Sequence, residues 1–200
     1  MCHFLPFRWQ ELSTLRVLGK TNFKPLHIDL DLYIPGNVIY SDDNALNTVN
    51  SQSGITSTIA GVTDSDEYSN GYGGDARFDR VKGFIQIIRS KIVVADHNNH
   101  CMRLIDWADS NYVSEFSGQC GYQGFRDGAK GTIRRPYFVA RDVQEQNQLL
   151  ITDHVNRAVS LNTKVIGTLV NSTTLKYLTY LTQDKATGTL YVVNKNSIHR

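Results

Sequence analysis

Short apolar runs recur along the chain, and an acidic or amide residue follows each of them. The runs cover residues 38–41, 92–95, 149–152 and 190–193 (VIYS, IVVA, LLIT and LYVV). Their length, their β-branched and aliphatic content and the turn-forming residues after them are typical of strands buried on both faces. The run that follows at residues 101–106 alternates instead, so Cys101, Arg103 and Ile105 are expected on one face of a strand. The pattern therefore predicts pairs of short antiparallel strands.

The polar residue that ends each run repeats at long intervals. These residues are Asp42, Asp96, Asp153 and Asn194, and they follow one another after 54, 57 and 41 residues. We expect each to cap the turn after its strand by accepting hydrogen bonds from backbone N–H groups. A second block recurs in step with them at residues 55–61, 113–118 and 165–170. Units of four short strands at such a period are typical of β-propeller blades.

Two stretches carry a resemblance to a known family. Residues 95–106 read ADHNNHCMRLID and residues 152–162 read TDHVNRAVSLN. A strand ending in Val-Ala-Asp, a turn with Asn and an Arg-containing second strand resemble the NHL repeat, and the resemblance covers residues 34–200. The copy at residues 41–50 departs from the pattern, with Ala45 where Asn is usual. The long repeats look more like those of extracellular or multidomain NHL proteins than the compact repeats of tripartite-motif ubiquitin ligases.

The resemblance implies an all-β fold, a partial β-propeller of four-stranded blades. About three blades and a fraction are expected, at residues 34–86, 87–146, 147–186 and, truncated, 187–200, after a segment at 1–33 without the repeat. A closed propeller of this family typically has six blades. We therefore expect the chain to be a fragment, with its missing blades supplied by the rest of a parent chain or by self-association.

Composition narrows the classes of partner. The chain has 200 residues, of which 40% are hydrophobic, and a net charge of +2. That charge is too small to indicate nucleic acid or an anionic membrane. No run approaches the ~18 apolar residues of a membrane-spanning helix. Since no signal peptide is visible either, the N-terminus is expected to be incomplete if the protein is extracellular, and a cytoplasmic protein is the alternative.

Two features favour the extracellular reading. Cys101 begins the alternating strand, and Cys120 lies just past the next one, so an antiparallel hairpin would bring the two thiols within bridging distance. A disulfide indicates an oxidising compartment. Asn171-Ser172-Thr173 is a sequon for N-glycosylation in an expected loop.

Residues that resemble metal ligands have a plainer interpretation. Asp96, His97, His100 and Cys101 lie together in one turn, and Asp153-His154 repeats half of the pattern. A second Cys/His pair that would complete a zinc site is missing, so we expect structural roles and predict no metal or cofactor. Asp64, Asp66 and Glu67 lack the spacing of an EF-hand and are expected in a solvated loop.

Basic and aromatic residues are interleaved later in the chain, and together such residues can hold single-stranded RNA. The cluster consists of Tyr122, Phe125, Arg126, Lys130, Arg134, Arg135, Tyr137, Phe138 and Arg141. With a net charge of +2, a solvated loop is favoured and nucleic acid is not expected as a partner.

The sequence thus predicts a module that binds a protein or a small ligand on one propeller face, without an assigned catalytic residue. Two alternatives stay open: an NHL-like metal-dependent lyase or hydrolase, and an RNA-binding NHL domain of a ubiquitin-ligase-type protein. The apolar runs at 38–41, 92–95 and 149–152, interpreted as the inner strands, argue against the enzyme because they offer few ligating side chains.

Overall fold

The computed structural model describes residues 25–153, 156–170, 177–194 and 196–200, which form four antiparallel sheets arranged as propeller blades. The first blade consists of β1 (Pro25–Leu30), β2 (Asn37–Asp42), β3 (Ala45–Asn50) and β4 (Thr56–Gly61). The second consists of β5 (Gly71–Tyr72), β6 (Val81–Ile88), β7 (Lys91–Asp96), β8 (Cys101–Asp106) and β9 (Tyr112–Ser117), with the short β5 added beside β9.

The third blade consists of β10 (Phe138–Arg141), β11 (Gln148–Thr152), β12 (Asn156–Ser160) and β13 (Ile166–Val170). The fourth has three described strands, β14 (Tyr180–Gln183), β15 (Leu190–Val193) and β16 (Ile198–His199). Short 3-10 turns lie at Gly73–Asp75 and Trp107–Asp109. The all-β propeller of four-stranded blades, three and a fraction of them, is confirmed.

The limits predicted for the blades are wrong, because each blade begins one strand earlier than its apolar run. β6 pairs with β7, Phe84 opposite Val94, although residues up to 86 were assigned to the first blade. β1 falls within the segment at 1–33 that shows no repeat, yet it pairs with β2, Ile28 opposite Tyr40. β10 and β14 likewise belong to the blades that follow them. These first strands mix polar and apolar residues, so no apolar run marks them.

The strands that line the propeller axis are therefore β1, β6, β10 and β14. They contact one another from blade to blade, β1 with β6, β6 with β10 and β10 with β14. The apolar runs interpreted as inner strands are instead the second strands β2, β7, β11 and β15. The side chains that face the axis therefore come from the first strands, which the apolar runs of the sequence do not mark.

Each second strand between two blades is buried on both faces, as its apolar run predicts. In β7, Ile92 and Val94 pack towards the first blade, whereas Val93 and Ala95 pack towards the third. All four side chains have no exposed surface. Burying an aliphatic side chain of this size contributes about 1.5–3 kcal/mol, so the packing of blade on blade is the main source of stability.

A glycine sets how closely two blades approach at the axis. A Cβ on Gly83 in β6 would lie 2.8 Å from the carbonyl oxygen of Tyr137 and 3.1 Å from Cα of Phe138. Because no side chain fits in that space, Gly83 allows the backbones of the second and third blades to meet directly.

One end of the sheets carries the loops between blades, and we call it the upper face. Here the first strands begin and the second strands end, as the pairing of Val81 with Asp96 and of Phe138 with Thr152 shows. The connecting loops at residues 62–80 and 118–137 run across this face.

A buried ion pair joins the second blade to the loop at 62–80. Arg103 donates to a carboxylate oxygen of Asp96 at 2.9 Å, and neither side chain is exposed. Arg103 also donates to the carbonyl oxygens of Arg77 and Ser69 and to Oδ1 of Asn70. Burial raises the pKa of Asp96 to about 6, and the nearby guanidinium opposes that rise. The pair is thus the centre of a network that holds loop and hairpin together.

The four repeating polar residues do not all cap their own turns. Asn194 does, since its Oδ1 accepts from the N–H groups of Asn196 and Ser197. Asp96 accepts instead from the N–H of Asp79, and Asp153 from the N–H of Arg134.

For Asp96 the expected role as a turn cap is wrong, because its carboxylate faces the loop that enters the blade and accepts a backbone N–H there. Asp153 also contacts the loop that enters its blade, but the turn after it includes residues outside the described ranges, so its capping role stays a prediction. Asp42 accepts a hydrogen bond from Nδ2 of Asn47 at 2.9 Å.

The predicted disulfide between Cys101 and Cys120 is present, with Cα atoms 5.0 Å apart. Cys101 begins β8, and Cys120 lies three residues past the end of β9. The bond therefore anchors the start of the loop at 118–137 to the hairpin beneath it.

The outer face of the first blade exposes apolar side chains. Ile28 and Leu30 of β1 are 64% and 66% exposed, and Leu32 beyond the strand is 63% exposed. Among the described residues, no helical segment has the length and apolar character that crossing a bilayer requires.

Replacing Arg103 with Met is expected to lower the free energy of unfolding by about 3–5 kcal/mol, because the Asp96 carboxylate stays buried without its cation. Urea unfolding followed by circular dichroism measures the change. The matched control is Lys91→Met, which breaks a partly exposed pair with Asp106 at 3.1 Å and should cost no more than about 1 kcal/mol. Equal losses in the two variants would contradict a special role for the buried pair.

Replacing both Cys101 and Cys120 with Ser is expected to cost about 3 kcal/mol, because the bond constrains the unfolded chain across a sequence separation of 19. The variant is made in a Cys2→Ser background so that no third thiol can exchange, and urea midpoints are compared with that background. Reducing the background protein with dithiothreitol should reproduce the loss. Unchanged midpoints under both treatments would contradict the stabilising role of the bond.

Candidate functional site

A pocket of about 180 Å³ opens on the upper face where three successive blades meet. It is lined by His97, Arg135, Tyr137, Asp153, Tyr177, Leu178 and Thr179. His97 starts the turn after β7, and the loop at 118–137 supplies Arg135 and Tyr137 just before β10. Residues 177–179 lead into β14. The second, third and fourth blades all contribute, so the pocket exists only when they pack together.

His97 is held as a neutral ring with a defined tautomer. Its Nδ1 lies 2.9 Å from the carbonyl oxygen of Pro136, which can only accept, so Nδ1 carries the proton and donates. Burial, together with the cations of Lys82, Arg135 and Arg80, lowers the pKa of His97 to about 4, and the hydrogen bond to Pro136 opposes this shift. At neutral pH, Nε2 is therefore a hydrogen-bond acceptor.

Positive charge dominates the surroundings of this ring. Arg135 is exposed at the pocket and is positioned by its backbone N–H, which donates to Nδ1 of His100 at 3.2 Å. Nζ of Lys82 lies 5.5 Å from the ring centre of Tyr137, and burial lowers the pKa of that amine. The acid in the lining, Asp153, is buried and accepts the N–H of Arg134. The arrangement favours an anion over a cation.

Aromatic rings run from the pocket to the propeller axis. In order, they are His97, Tyr137, Tyr180, Phe138, His27 and Phe84, with neighbouring centroids 5.8, 5.8, 5.4, 5.3 and 4.6 Å apart. The last four lie on β14, β10, β1 and β6, so each first strand contributes one ring. Edge and tilted contacts of this kind stabilise the packing beyond the area they bury, and they connect the pocket residues His97 and Tyr137 to the rings at the axis.

The residues that resemble metal ligands each have another partner. Cys101 is in the disulfide, and Asp96 binds Arg103. His97 donates to Pro136, and His100 accepts from Arg135. In the described part of the chain, no three such side chains gather in a metal-binding group.

The basic and aromatic cluster does not form one surface. Arg141 lies at the opposite end of β10 and donates to the carbonyl oxygens of Ile87 and Gln146. Arg126 donates to the carbonyl oxygen of Lys130 within its own loop. Of the nine residues, Arg135 and Tyr137 line the pocket, so the site is far smaller than a groove for an RNA strand.

The glycosylation sequon and the acidic loop at Asp64, Asp66 and Glu67 are the two other candidates from the sequence. Asn171, the sequon residue, lies outside the described residues. In the acidic loop, Asp66 accepts from Nδ2 of Asn44 at 2.8 Å, and Glu67 lies 3.8 Å from Nε of Arg77. The contact with Asn44 ties the loop to the first blade, and Nδ2 of Asn99, which donates to the carbonyl oxygen of Glu67, ties it to the second.

Sequence reasoning missed Lys82 and Tyr180 because both belong to unrecognised first strands or their borders. A signal for those strands exists. Asp31, Asp142 and Asp184 each precede the second strand by six residues. Each accepts the N–H groups two and three residues ahead, which turns the chain after the first strand.

The His97 side chain is expected to titrate at about pH 4 in an NMR titration of its ring carbons, against about 6.5 for an unfolded histidine. Since the unfolded chain takes up this proton first, His97 lowers stability as the pH falls from about 6.5 to about 4. Lys82→Met should raise the pKa of His97, whereas Lys185→Met, on an exposed turn at the other end of the sheet, should not. A ring that titrates near 6.5 in the unchanged protein would overturn the assignment.

Comparison with protein-family models and with curated protein sequences finds no match. Among solved structures, the chain is similar to one described as a nidogen/laminin complex (TM-score 0.56, 17% identity, 82% of this chain and 54% of that one). It is also similar to an auxiliary nutrient binding protein from Bacteroides thetaiotaomicron (TM-score 0.55, 16% identity, 76% of this chain and 39% of that one). A third similar structure is a protein of unknown function from the same species (TM-score 0.53, 21% identity, 65% of this chain and 31% of that one). The chain thus spans 31–54% of these proteins, and at such identities the likeness shows the β-propeller fold alone.

Proposed function

We propose that this chain is a binding module of an extracellular protein, and that it takes a small anionic ligand into the pocket on the upper face. The observation that carries the proposal is the group of cations, Lys82, Arg135 and Arg80, around His97 in a pocket that Tyr137 and Tyr177 also line. Clefts with a few convergent polar groups among apolar walls are typical of small-molecule sites.

The size of the pocket limits the ligand. A volume of about 180 Å³ holds about six water molecules at ~30 Å³ each. That space suits one small ring or a short acid, and a folded protein domain would contact the rim instead. Because Arg135 is exposed at the pocket, it can pair with a carboxylate or a phosphate group through two parallel hydrogen bonds.

Several observations support a location outside the cytosol. The disulfide between Cys101 and Cys120 is of a kind that persists in oxidising compartments. The sequon at Asn171 is consistent with the same route. Two of the similar structures are described as auxiliary nutrient binding proteins of Bacteroides species, and uptake of a small nutrient is one role that such a pocket can serve.

The NHL character of the blades belongs to the same proposal. The motif at residues 95–106 places Asp96, Asn99 and Arg103 in one hydrogen-bonded cluster, because Nδ2 of Asn99 and the guanidinium of Arg103 both donate to the Asp96 carboxylate. These are the residue types of the NHL motif that residues 95–106 resemble. Exposed Ile28 and Leu30 support the further expectation that more blades, from a longer chain or a second copy, flank these four.

Inorganic phosphate and acetate are expected to bind the pocket with millimolar dissociation constants, about −4 kcal/mol, and to shift the NMR signals of His97, Tyr137 and Thr179. Arg135→Gln should weaken binding about tenfold, since a charge-assisted hydrogen bond contributes roughly 1.5–3 kcal/mol. Binding should also weaken as the salt concentration rises.

The matched control is Arg89→Gln, on an exposed turn at the opposite end of the second blade, which should leave both affinities unchanged. Signals that fail to move with either anion, or equal effects of the two arginine substitutions, would contradict the proposed site.

A further inference from the structure

Three groups in the pocket lining can each bind a different feature of one ligand. The inference drawn from them rests on the function proposed above. Arg135 supplies an exposed guanidinium, His97 a neutral ring nitrogen and Tyr137 an aromatic surface, all in the lining of the same pocket. A bare carboxylate would satisfy the first group and leave the other two without a partner.

The neutral His97 ring can accept a hydrogen bond from a donor on the ligand. The Pro136 carbonyl holds the proton on Nδ1, so the ring can offer the ligand the lone pair of Nε2. Neither acetate nor sulfate has an O–H or N–H group to donate. A ligand that bears a hydroxyl beside its anionic group satisfies both His97 and Arg135.

The aromatic side chains of the pocket can pack against a flat, weakly polar face of the ligand. Tyr137 meets His97 edge-on at 5.8 Å and Tyr180 at 5.8 Å, so its ring is fixed from two sides. Tyr177 at the rim is 65% exposed and Tyr180 beside it is 46% exposed. The C–H face of a sugar ring is apolar, whereas its edge carries hydroxyls, so a sugar fits a pocket with aromatic walls and separate polar groups.

We propose that the pocket binds an acidic sugar unit, a hexuronic acid. Its carboxylate pairs with Arg135, one of its hydroxyls donates to Nε2 of His97, and its ring lies against Tyr137. A pocket of about 180 Å³ accommodates one such unit, either free or at the end of a longer chain that extends past Tyr177. Lys82 strengthens the attraction for the carboxylate through its charge.

Isothermal titration calorimetry on the disulfide-bonded chain tests this with three ligands: methyl glucuronide, methyl glucoside and acetate. Methyl glucuronide combines the carboxylate and the hydroxylated ring, which the other two carry separately. It should bind at least about tenfold more tightly than either, since each additional polar contact contributes about 1.4 kcal/mol or more. This comparison requires no substitution and so does not depend on a variant that folds.

Variants then assign the contacts. Arg135→Gln should reduce the affinity for methyl glucuronide to that for methyl glucoside. His97→Phe keeps a ring but removes the acceptor, so it should weaken methyl glucuronide about tenfold more than it weakens acetate. Arg89→Gln again serves as the control, and amide spectra show whether each variant is folded.

The outcomes separate the two proposals. If methyl glucuronide binds no better than acetate while Arg135→Gln still weakens acetate binding, the proposal of an acidic sugar is wrong and the proposal of an anion site is retained. If methyl glucoside binds as tightly as methyl glucuronide, the acidic sugar is wrong, and the response of acetate to Arg135→Gln decides the anion site. If none of the three ligands binds, both proposals are wrong.

Discussion

The buried contact between Asp96 and Arg103 is the interaction on which the upper face depends. Two opposite charges without exposed surface meet at 2.9 Å, and the two terminal nitrogens of the arginine also donate to the Arg77 and Ser69 carbonyls and to Oδ1 of Asn70 in the preceding loop. A buried pair of this kind costs desolvation and is weak evidence for net stability. What it provides is specificity of position, because Arg103 can satisfy its donors only when the loop at 62–80 lies against the hairpin.

From that fixed hairpin the pocket follows by a short sequence of contacts. The turn after Asp96 carries His97, whose Nδ1–H donates to the carbonyl oxygen of Pro136. The disulfide at Cys101 holds the start of the loop that contains Pro136. Gly83 lets the third blade approach until the Tyr137 backbone touches β6. A change in any one of these contacts is therefore expected to alter the pocket without touching a ligand.

Several residues in and beside the pocket also stabilise the fold. Tyr137 and Tyr180 are part of the aromatic row that packs the first strands together. Asp153, which lines the pocket, is engaged with the backbone of Arg134. Arg135 differs, since it is exposed and its position is set through its backbone. The pocket thus combines a rigid floor with an exposed cation at its rim, an arrangement suited to binding and release.

The sequence by itself determined the repeat, the all-β class and the disulfide. Short apolar runs, polar strand ends and the separation of Cys101 from Cys120 are local signals with a direct physical meaning. It did not reveal the first strands, because β1, β6, β10 and β14 face a shared axis and need no apolar run of their own. The tertiary structure alone decided the pocket, since His97, Arg135 and Thr179 come together only when blades separated by about 40 or more residues in the chain pack side by side.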